Sequence, residues 1–140
     1  MRSLIKEDAF EKLLTIVPIP PSKTRTHPDY DDRIYRICTE MVAGLHTPDV
    51  KELIRSTEDM EATHNQDVKP PPNELMAHYE VAAEPGYTPR QTVLLVDDML
   101  TTGTHFKACK QLLIEAYPGI QVIGLFITRR VFINPFEDLL

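Results

Sequence analysis

The chain lacks the features that would assign it to a membrane, secreted or zinc-binding class. No apolar run approaches the roughly 20 residues that span a bilayer, and the first residues, MRSLIKEDAF, lack the apolar core of a signal peptide. The two cysteines, Cys38 and Cys109, fall on apolar faces of predicted helices, which disfavours a disulfide framework. No Cys/His spacing resembles a zinc site. We therefore expect a protein of the reducing cytoplasm with no membrane partner.

Two familiar phosphate-binding motifs are also absent. The chain contains neither the P-loop pattern G-x-x-x-x-G-K-[ST] nor a G-x-G-x-x-G dinucleotide turn. Its formal net charge of -6 disfavours a protein that holds nucleic acid mainly by neutralising phosphates. A small basic pocket remains compatible with that charge, but nucleic acid is not the expected partner.

The composition is that of one compact domain. The chain has 140 residues, of which 42% are hydrophobic and 26% are charged, as in ordinary soluble domains. The 12 prolines cluster in short stretches, so they mark loops and do not indicate disorder throughout. Neither an internal repeat nor a long linker divides the sequence, and we expect a single domain over residues 1–140.

Apolar residues follow a pattern of strands that alternate with helices. Continuous or alternating apolar runs predict strands at 13–21, 75–82, 92–96 and 122–128, and helical spacing predicts helices at 31–46 and 102–116. Residues 50–56 are compatible with a strand or a turn of helix, and the polar stretch 57–74 predicts a long loop. This alternation is typical of an α/β fold with a mainly parallel sheet covered by helices on both faces.

The stretch VLLVDDMLTTGTHF, residues 93–106, contains the chemically most informative residues. In an open parallel sheet, ligands bind beyond the carboxyl ends of the strands, and Asp97 and Asp98 are expected at such an end. A helix that begins near Thr102 points its first N–H groups into the same space, and Gly103 lets the backbone approach a phosphate. This combination suits a sugar phosphate, whose hydroxyls or bound Mg²⁺ face the acids. The alternative is a surface turn, with Thr101 or Thr102 as an ordinary N-cap.

VLLVDDMLTTG resembles the phosphoribosyl-diphosphate binding motif of the type I phosphoribosyltransferases. That motif is an apolar strand, two acids, two variable residues and a Thr-Gly turn. The resemblance implies that Asp97 and Asp98 are the catalytic acids, which hold the ribose and bind Mg²⁺ directly, through water or through the substrate. It also implies that five residues wrap the 5′-phosphate. These are Thr101, Thr102, Gly103, Thr104 and His105.

One position departs from the family pattern. The family usually has a Thr two places after the Gly, where it donates its hydroxyl to the phosphate. This chain has His105 there, with Thr104 one place earlier. An imidazole can also donate a hydrogen bond to phosphate, but the alternative is a weakened site in which turnover is in doubt.

A second segment corresponds to the family's pyrophosphate loop. VPIPPSKTR, residues 17–25, follows the first predicted strand, and Ser22, Lys23 and Arg25 have the donors that pyrophosphate requires. The alternative for Lys23 and Arg25 is that they are solvated surface charges. The Pro20–Pro21 bond is compatible with a cis peptide or with an extended polyproline turn. This segment and PNELMAHYEV resemble the competence-type (ComF-like) branch of the family, a likeness that names no substrate.

The subdomain that selects the acceptor in this family, the hood, is expected to be small. Only about a dozen residues precede the first predicted strand and about a dozen follow the last. Arg129, Arg130 and Phe132 have the chemistry to stack on a base or bond to it. The alternative is that they form the basic end of a strand with a packed aromatic ring. The resemblance therefore implies a type I phosphoribosyltransferase fold with a reduced hood.

The sequence supports two functions from different classes. The first is Mg²⁺-dependent transfer of a phosphoribosyl group from phosphoribosyl diphosphate to an unknown acceptor, with release of pyrophosphate. The second is a non-catalytic sensor of phosphoribosyl diphosphate or a nucleotide, or a partner-binding module, which keeps the fold. His105 and the small hood favour the second, and a homodimer or a protein partner is compatible with either.

Overall fold

The computed structural model describes residue 6 and the ranges 12–60, 71–100 and 103–129. Five strands and three helices, joined with one 3₁₀ turn, make up this part of the chain. In chain order they are β1 (Leu14–Pro18), α1 (Arg33–Met41), β2 (Ile54–Ser56), α2 (Pro72–Leu75), the 3₁₀ turn (Met76–His78), β3 (Tyr79–Val81), β4 (Thr92–Leu100), α3 (Thr104–Ala116) and β5 (Gln121–Arg129). The chain is therefore a mixed α/β protein.

The main sheet has three parallel strands in the order β1-β4-β5. Leu14 pairs with Thr92 and Pro18 with Val96, so β1 accompanies only the first half of β4. Strand β5 pairs with β4 from Thr92 as far as Leu100. Because all three strands are parallel, their carboxyl ends lie at one edge of the sheet, as the sequence predicts.

Helices cover both faces of this sheet, which confirms the predicted arrangement. On one face, the apolar side chains of α1 pack against alternate residues of β1 and β4. This cluster contains Cys38, Met41, Val42, Ile16, Leu94 and Val96. On the other face, α3 packs against the intervening residues; this cluster contains Ala108, Cys109, Leu113, Val17, Val93 and Leu95. Burial on both faces explains why the β4 segment VLLV is apolar without alternation.

A two-stranded antiparallel ribbon, β2 with β3, corrects two predicted boundaries. Only Tyr79–Val81 of the predicted strand 75–82 pairs with β2, because β2 itself has three residues. Before it come the 3₁₀ turn and α2, which begins inside the predicted loop 57–74. Pro72 fits the first position of α2, because a backbone N–H at that position would have no partner within the helix. Leu75, the last residue of α2, is buried. Residues 61–70 lie outside the described ranges.

The contact between α3 and β5 depends on the absence of a side chain at Gly124. The rings of Phe106 and Phe126 meet edge to face, with their centroids 5.7 Å apart. A Cβ atom at Gly124 would lie 2.8 Å from a ring carbon of each phenylalanine. Real Cβ contacts are not that short, so the rings occupy the space that any larger residue would need.

Both cysteines are buried free thiols, which confirms that they form no disulfide with each other. No helix within the described ranges has the length and apolar character needed to cross a membrane. The Pro20–Pro21 bond is trans, like every peptide bond in the described part of the chain.

Candidate functional site

Asp97 and Asp98 lie near the carboxyl edge of the sheet, but inside β4 and not after it. The predicted strand ended at Val96, which is where β1 ends beside it. Strand β5 continues, so Asp97 pairs with Phe126 and β4 extends to Leu100. The Thr128 hydroxyl also donates to the Asp98 carbonyl oxygen at 3.0 Å. The two acids therefore occupy a two-stranded extension of the sheet, beyond the part enclosed by β1.

Asp98 has a cationic partner from a distant part of the sequence. The guanidinium of Arg33, the first residue of α1, donates to Asp98 Oδ2 at 2.8 Å. A second carboxylate, that of Asp31, lies 3.6 Å from the same nitrogen. Both ends of the Arg33–Asp98 pair are substantially exposed, so the pair contributes little to stability. A ligand that binds Asp98 therefore has to displace Arg33 or share the carboxylate with it.

Asp97 is partly buried and bonds to the backbone of its neighbour. Its Oδ1 accepts a hydrogen bond from the Asp98 backbone N–H at 2.8 Å. Burial is the largest reason that the pKa of Asp97 is raised to about 7, and the charge of Asp98 acts in the same direction. The Asp98 N–H and the Arg33 guanidinium oppose this shift. Near neutral pH the pair therefore carries less than two full negative charges unless a cation binds there.

The turn after β4 brings a helix N-terminus to the same edge of the sheet. Gly103 has a φ of 76°, in the left-handed region that favours glycine, and it is the N-cap of α3. Its carbonyl accepts the N–H of Lys107 at 2.9 Å, which closes the first helical turn. Thr104 is the first residue of α3, whereas Thr101 and Thr102 lie outside the described residues. The helix therefore begins at Thr104, two residues later than its predicted start near Thr102.

His105, the residue that departs from the family pattern, contacts the neighbouring ribbon. Its Nδ1 lies 2.5 Å from the hydroxyl of Tyr79, and the two rings meet edge to face at 6.2 Å. Burial, mainly, raises the pKa of Tyr79, so its phenol stays protonated at neutral pH and can donate to Nδ1. The ring proton of a neutral His105 then lies on Nε2. His105 thus links the first turn of α3 to the start of β3.

Replacing His105 tests whether its imidazole also contacts a phosphate. If it binds phosphate as an imidazolium, wild-type affinity for ribose 5-phosphate should gain from histidine protonation between about pH 8 and about pH 6. We expect His105→Thr to bind at least as well at about pH 8 and to lose that gain. Calorimetry across this pH range measures both proteins, since the ligand's own ionisation near pH 6 affects them equally. Parallel profiles would show that His105 does not contact the phosphate, and Tyr79→Phe is the matched variant for its contact with Tyr79.

The predicted pyrophosphate loop begins beside the acids. Ile19, directly after β1, donates its N–H to the carbonyl oxygen of Val96 at 2.8 Å, one residue before Asp97. The end of β2 and the segment after it hold the loop: the Ser56 hydroxyl donates to the Pro21 carbonyl at 2.8 Å, and the Met60 N–H donates to the Ser22 carbonyl at 2.7 Å. Both bonds end on backbone carbonyls, so Ser22 takes part in them through its carbonyl oxygen and not through its hydroxyl.

Lys23 and Arg25 line a cleft of about 460 Å³ between this loop, the start of α1 and the ribbon. Neither Asp97 nor Asp98 lines it. Arg25 also forms an ion pair with Glu52, so its charge is partly compensated. The cleft therefore adjoins the predicted pyrophosphate side only. The two acids and the first residue of α3 lie outside the residues that line this cleft.

The third predicted group, at the end of β5, remains a prediction. Arg129 is the last residue of β5, where its backbone pairs with Leu100. Arg130 and Phe132 lie outside the described residues. The structure therefore brings together the start of the pyrophosphate loop, the two acids and the first turn of α3, and leaves the acceptor-binding residues undefined.

The residues at this edge fit a magnesium ion only as part of a complex with a ligand. Within the described ranges, no three His, Cys, Asp or Glu side chains are grouped as a metal site would require. Asp97 and Asp98 supply two carboxylates, and Mg²⁺ is commonly held by one or two carboxylates together with substrate phosphates and water. The chemistry of the pair thus suits a metal that arrives with a phosphorylated ligand.

Sequence reasoning missed three residues that contact this site: Arg33, Tyr79 and Asp59. Arg33 is 65 residues from Asp98, and Tyr79 is 26 residues from His105. Asp59 accepts a hydrogen bond from the backbone N–H of Thr24, which is 35 residues away. No local pattern marks such residues, because their contacts arise only when the loops and the ribbon meet.

The chain matches no protein-family model, and a search of curated proteins also finds no match. The resemblance to the type I phosphoribosyltransferases therefore rests on the motif VLLVDDMLTTG and stays a prediction.

Proposed function

We propose that the chain is a phosphoribosyltransferase-like protein that binds phosphoribosyl diphosphate and transfers the phosphoribosyl group with release of pyrophosphate. The observation that carries the proposal is the placement of Asp97 and Asp98 beside the left-handed turn at Gly103 and the N-terminus of α3. Carboxylates bind sugar hydroxyls, and a helix N-terminus binds phosphate, so one edge of the sheet offers both ends of a ribose 5-phosphate. The mainly parallel α/β fold is compatible with the type I phosphoribosyltransferase fold with a reduced hood, which forms part of the proposal.

The proposed mechanism uses positioning and electrostatics. Asp97 and Asp98 hold the ribose hydroxyls, and their negative charge favours the positive charge that develops at the anomeric carbon as pyrophosphate departs. Lys23 and Arg25 bind the departing pyrophosphate. Bound Mg²⁺ would supply further neutralisation of the phosphate charges, held by Asp97 and Asp98 through the substrate or water. The reducing cytoplasm belongs to the proposal as well, because Cys38 and Cys109 are free thiols.

The internal contacts of the site favour a second candidate, a non-catalytic binding module. Arg33 already pairs with Asp98, and Glu52 with Arg25. A site whose charged groups are paired before a ligand arrives loses part of its affinity to those pairs. The second candidate therefore binds phosphoribosyl diphosphate or a nucleotide as a signal, or presents the fold to a protein partner, without turnover.

Release of pyrophosphate from phosphoribosyl diphosphate distinguishes the two candidates. The protein is incubated with Mg²⁺, phosphoribosyl diphosphate and each of a panel of nucleobases and small amines. A transferase releases pyrophosphate in the presence of one acceptor above the rate without it. Binding by calorimetry without acceptor-dependent release supports the binding module. Absence of binding for both phosphoribosyl diphosphate and ribose 5-phosphate contradicts both candidates that involve this ligand.

Lys23 and Arg25 are expected to contact the pyrophosphate part of the ligand only. The double variant Lys23→Ala plus Arg25→Ala should bind phosphoribosyl diphosphate about tenfold more weakly, since a charge-assisted hydrogen bond contributes roughly 1.5–3 kcal/mol and Arg25 is partly compensated by Glu52. Its affinity for ribose 5-phosphate should not change. Calorimetry with both ligands measures the contrast, and equal losses would place the two residues outside the pyrophosphate site.

A further inference from the structure

We propose that the carboxylate of Asp59 occupies the anion position of the loop 22–26, so that pyrophosphate must displace Asp59 in order to bind there. The inference rests on the proposed function, because it concerns the pyrophosphate side of the same site. It adds a competing group that belongs to the chain itself. Asp59 lies in the segment of residues 57–60, which follows β2.

The contacts of Asp59 are those that an oxygen of pyrophosphate would make. Its Oδ1 accepts the backbone N–H of Thr24 at 2.7 Å and the Thr24 hydroxyl at 3.0 Å. A backbone amide and a hydroxyl that converge on one anionic oxygen are typical donors for phosphate. The carboxylate therefore stands where a phosphate oxygen would be bound by the same two donors.

The charges around Asp59 complete this resemblance to an anion site. The hydrogen bond from the Thr24 N–H is the largest cause that lowers the pKa of Asp59, and the positive charge of Lys23 acts in the same direction. Asp59 is thus ionised at neutral pH. The proposed function also assigns Lys23 to pyrophosphate. The same cation therefore stabilises the charge of Asp59 and is expected to stabilise that of the ligand.

Displacement of Asp59 requires little rearrangement. The side chain is fully exposed, so water can replace its two hydrogen bonds as it leaves. The end of β2 and the segment after it remain joined to the loop by the bonds from Ser56 to Pro21 and from Met60 to Ser22. A ligand with more negative charge than one carboxylate competes well for the same donors. Binding of pyrophosphate would consequently release Asp59 from the loop.

The test compares Asp59→Asn with Glu58→Gln, using inorganic pyrophosphate and ribose 5-phosphate as probes. Glu58 is the neighbouring acid, but it pairs with His78 and not with the loop, so its variant is a matched loss of one charge. We expect pyrophosphate to bind about fivefold more tightly to Asp59→Asn than to wild type, because the variant removes an exposed carboxylate that competes for the donors of Thr24. Glu58→Gln should equal wild type, and ribose 5-phosphate should bind all three proteins alike.

Each outcome decides the role of Asp59. Equal or weaker pyrophosphate binding by Asp59→Asn, repeated with Asp59→Ala, would show a structural clamp and overturn the inference. Absence of pyrophosphate binding by every variant would overturn it as well, since the loop would then be no anion site. If pyrophosphate behaves as expected while phosphoribosyl diphosphate and ribose 5-phosphate bind no variant, the inference stands and the proposed function fails.

Discussion

The double variant Asp97→Asn plus Asp98→Asn is expected to lose binding of phosphoribosyl diphosphate while it keeps its fold. The two carboxylates accept the hydrogen bonds of the ribose hydroxyls under the proposed function. Charge-assisted hydrogen bonds are worth roughly 1.5–3 kcal/mol each, so affinity should fall by at least about 100-fold. Asparagine has nearly the same size, and the exposed pair with Arg33 contributes little stability. Calorimetry on the folded variant gives the affinity, and circular dichroism confirms the fold.

A matched control removes two carboxylates at other places. Asp29 and Glu115 are both exposed, and neither lines the cleft beside Lys23. The variant Asp29→Asn plus Glu115→Gln changes the net charge as much as the test variant does, and it should bind like wild type. If the test variant also retained wild-type affinity, Asp97 and Asp98 would not be the sugar site.

The second large effect concerns stability as a function of pH. The pKa of Asp97 is raised to about 7 in the folded protein, against an ordinary 3.8, mainly by burial. The folded protein therefore holds a proton on Asp97 that the unfolded chain releases near pH 4. Asp97 stabilises the fold fully below about pH 4, and this contribution is lost as the pH rises towards about 7. The loss amounts to roughly 2–4 kcal/mol, at up to about 1.4 kcal/mol per pH unit.

The variant Asp97→Asn isolates this contribution. Its free energy of unfolding, measured with urea at intervals between about pH 4.5 and about pH 8, should exceed that of wild type increasingly as the pH rises. Other groups titrate in both proteins, so the difference between them is the quantity to follow. The variant Asp29→Asn should run parallel to wild type. A difference that is constant with pH would show that Asp97 ionises normally.

The central βαβ unit was predictable because its signals are local. The apolar run before Asp97, the helical spacing around Cys109 and Leu113, and the last apolar run place β4, α3 and β5 within a few residues of their bounds. The predicted strand stopped at the two acids, since charges usually end a buried strand. In the structure, β5 continues beside them, and pairing on one side is enough to extend β4.

The contacts within the candidate site could not be predicted in the same way. Each joins residues from separate segments, as Arg33 with Asp98 and Thr24 with Asp59 do. Side chains of these types are common on surfaces, and only the folded arrangement selects which of them meet. The Pro-rich stretch before Leu75 similarly indicated a loop, although burial of that one leucine favours a short helix.

The missing side chain at Gly124 has a consequence for screens of sequence variants. Gly124 contacts the ring of Phe106, which directly follows His105 on the first turn of α3. Any larger residue at 124 would push that ring, and with it the helix end that is expected to face the phosphate. A screen that scores variants by ligand affinity alone would therefore report position 124 as a binding residue, although it would act through the ring of Phe106. Measuring thermal stability in parallel would separate it from residues that contact the ligand directly.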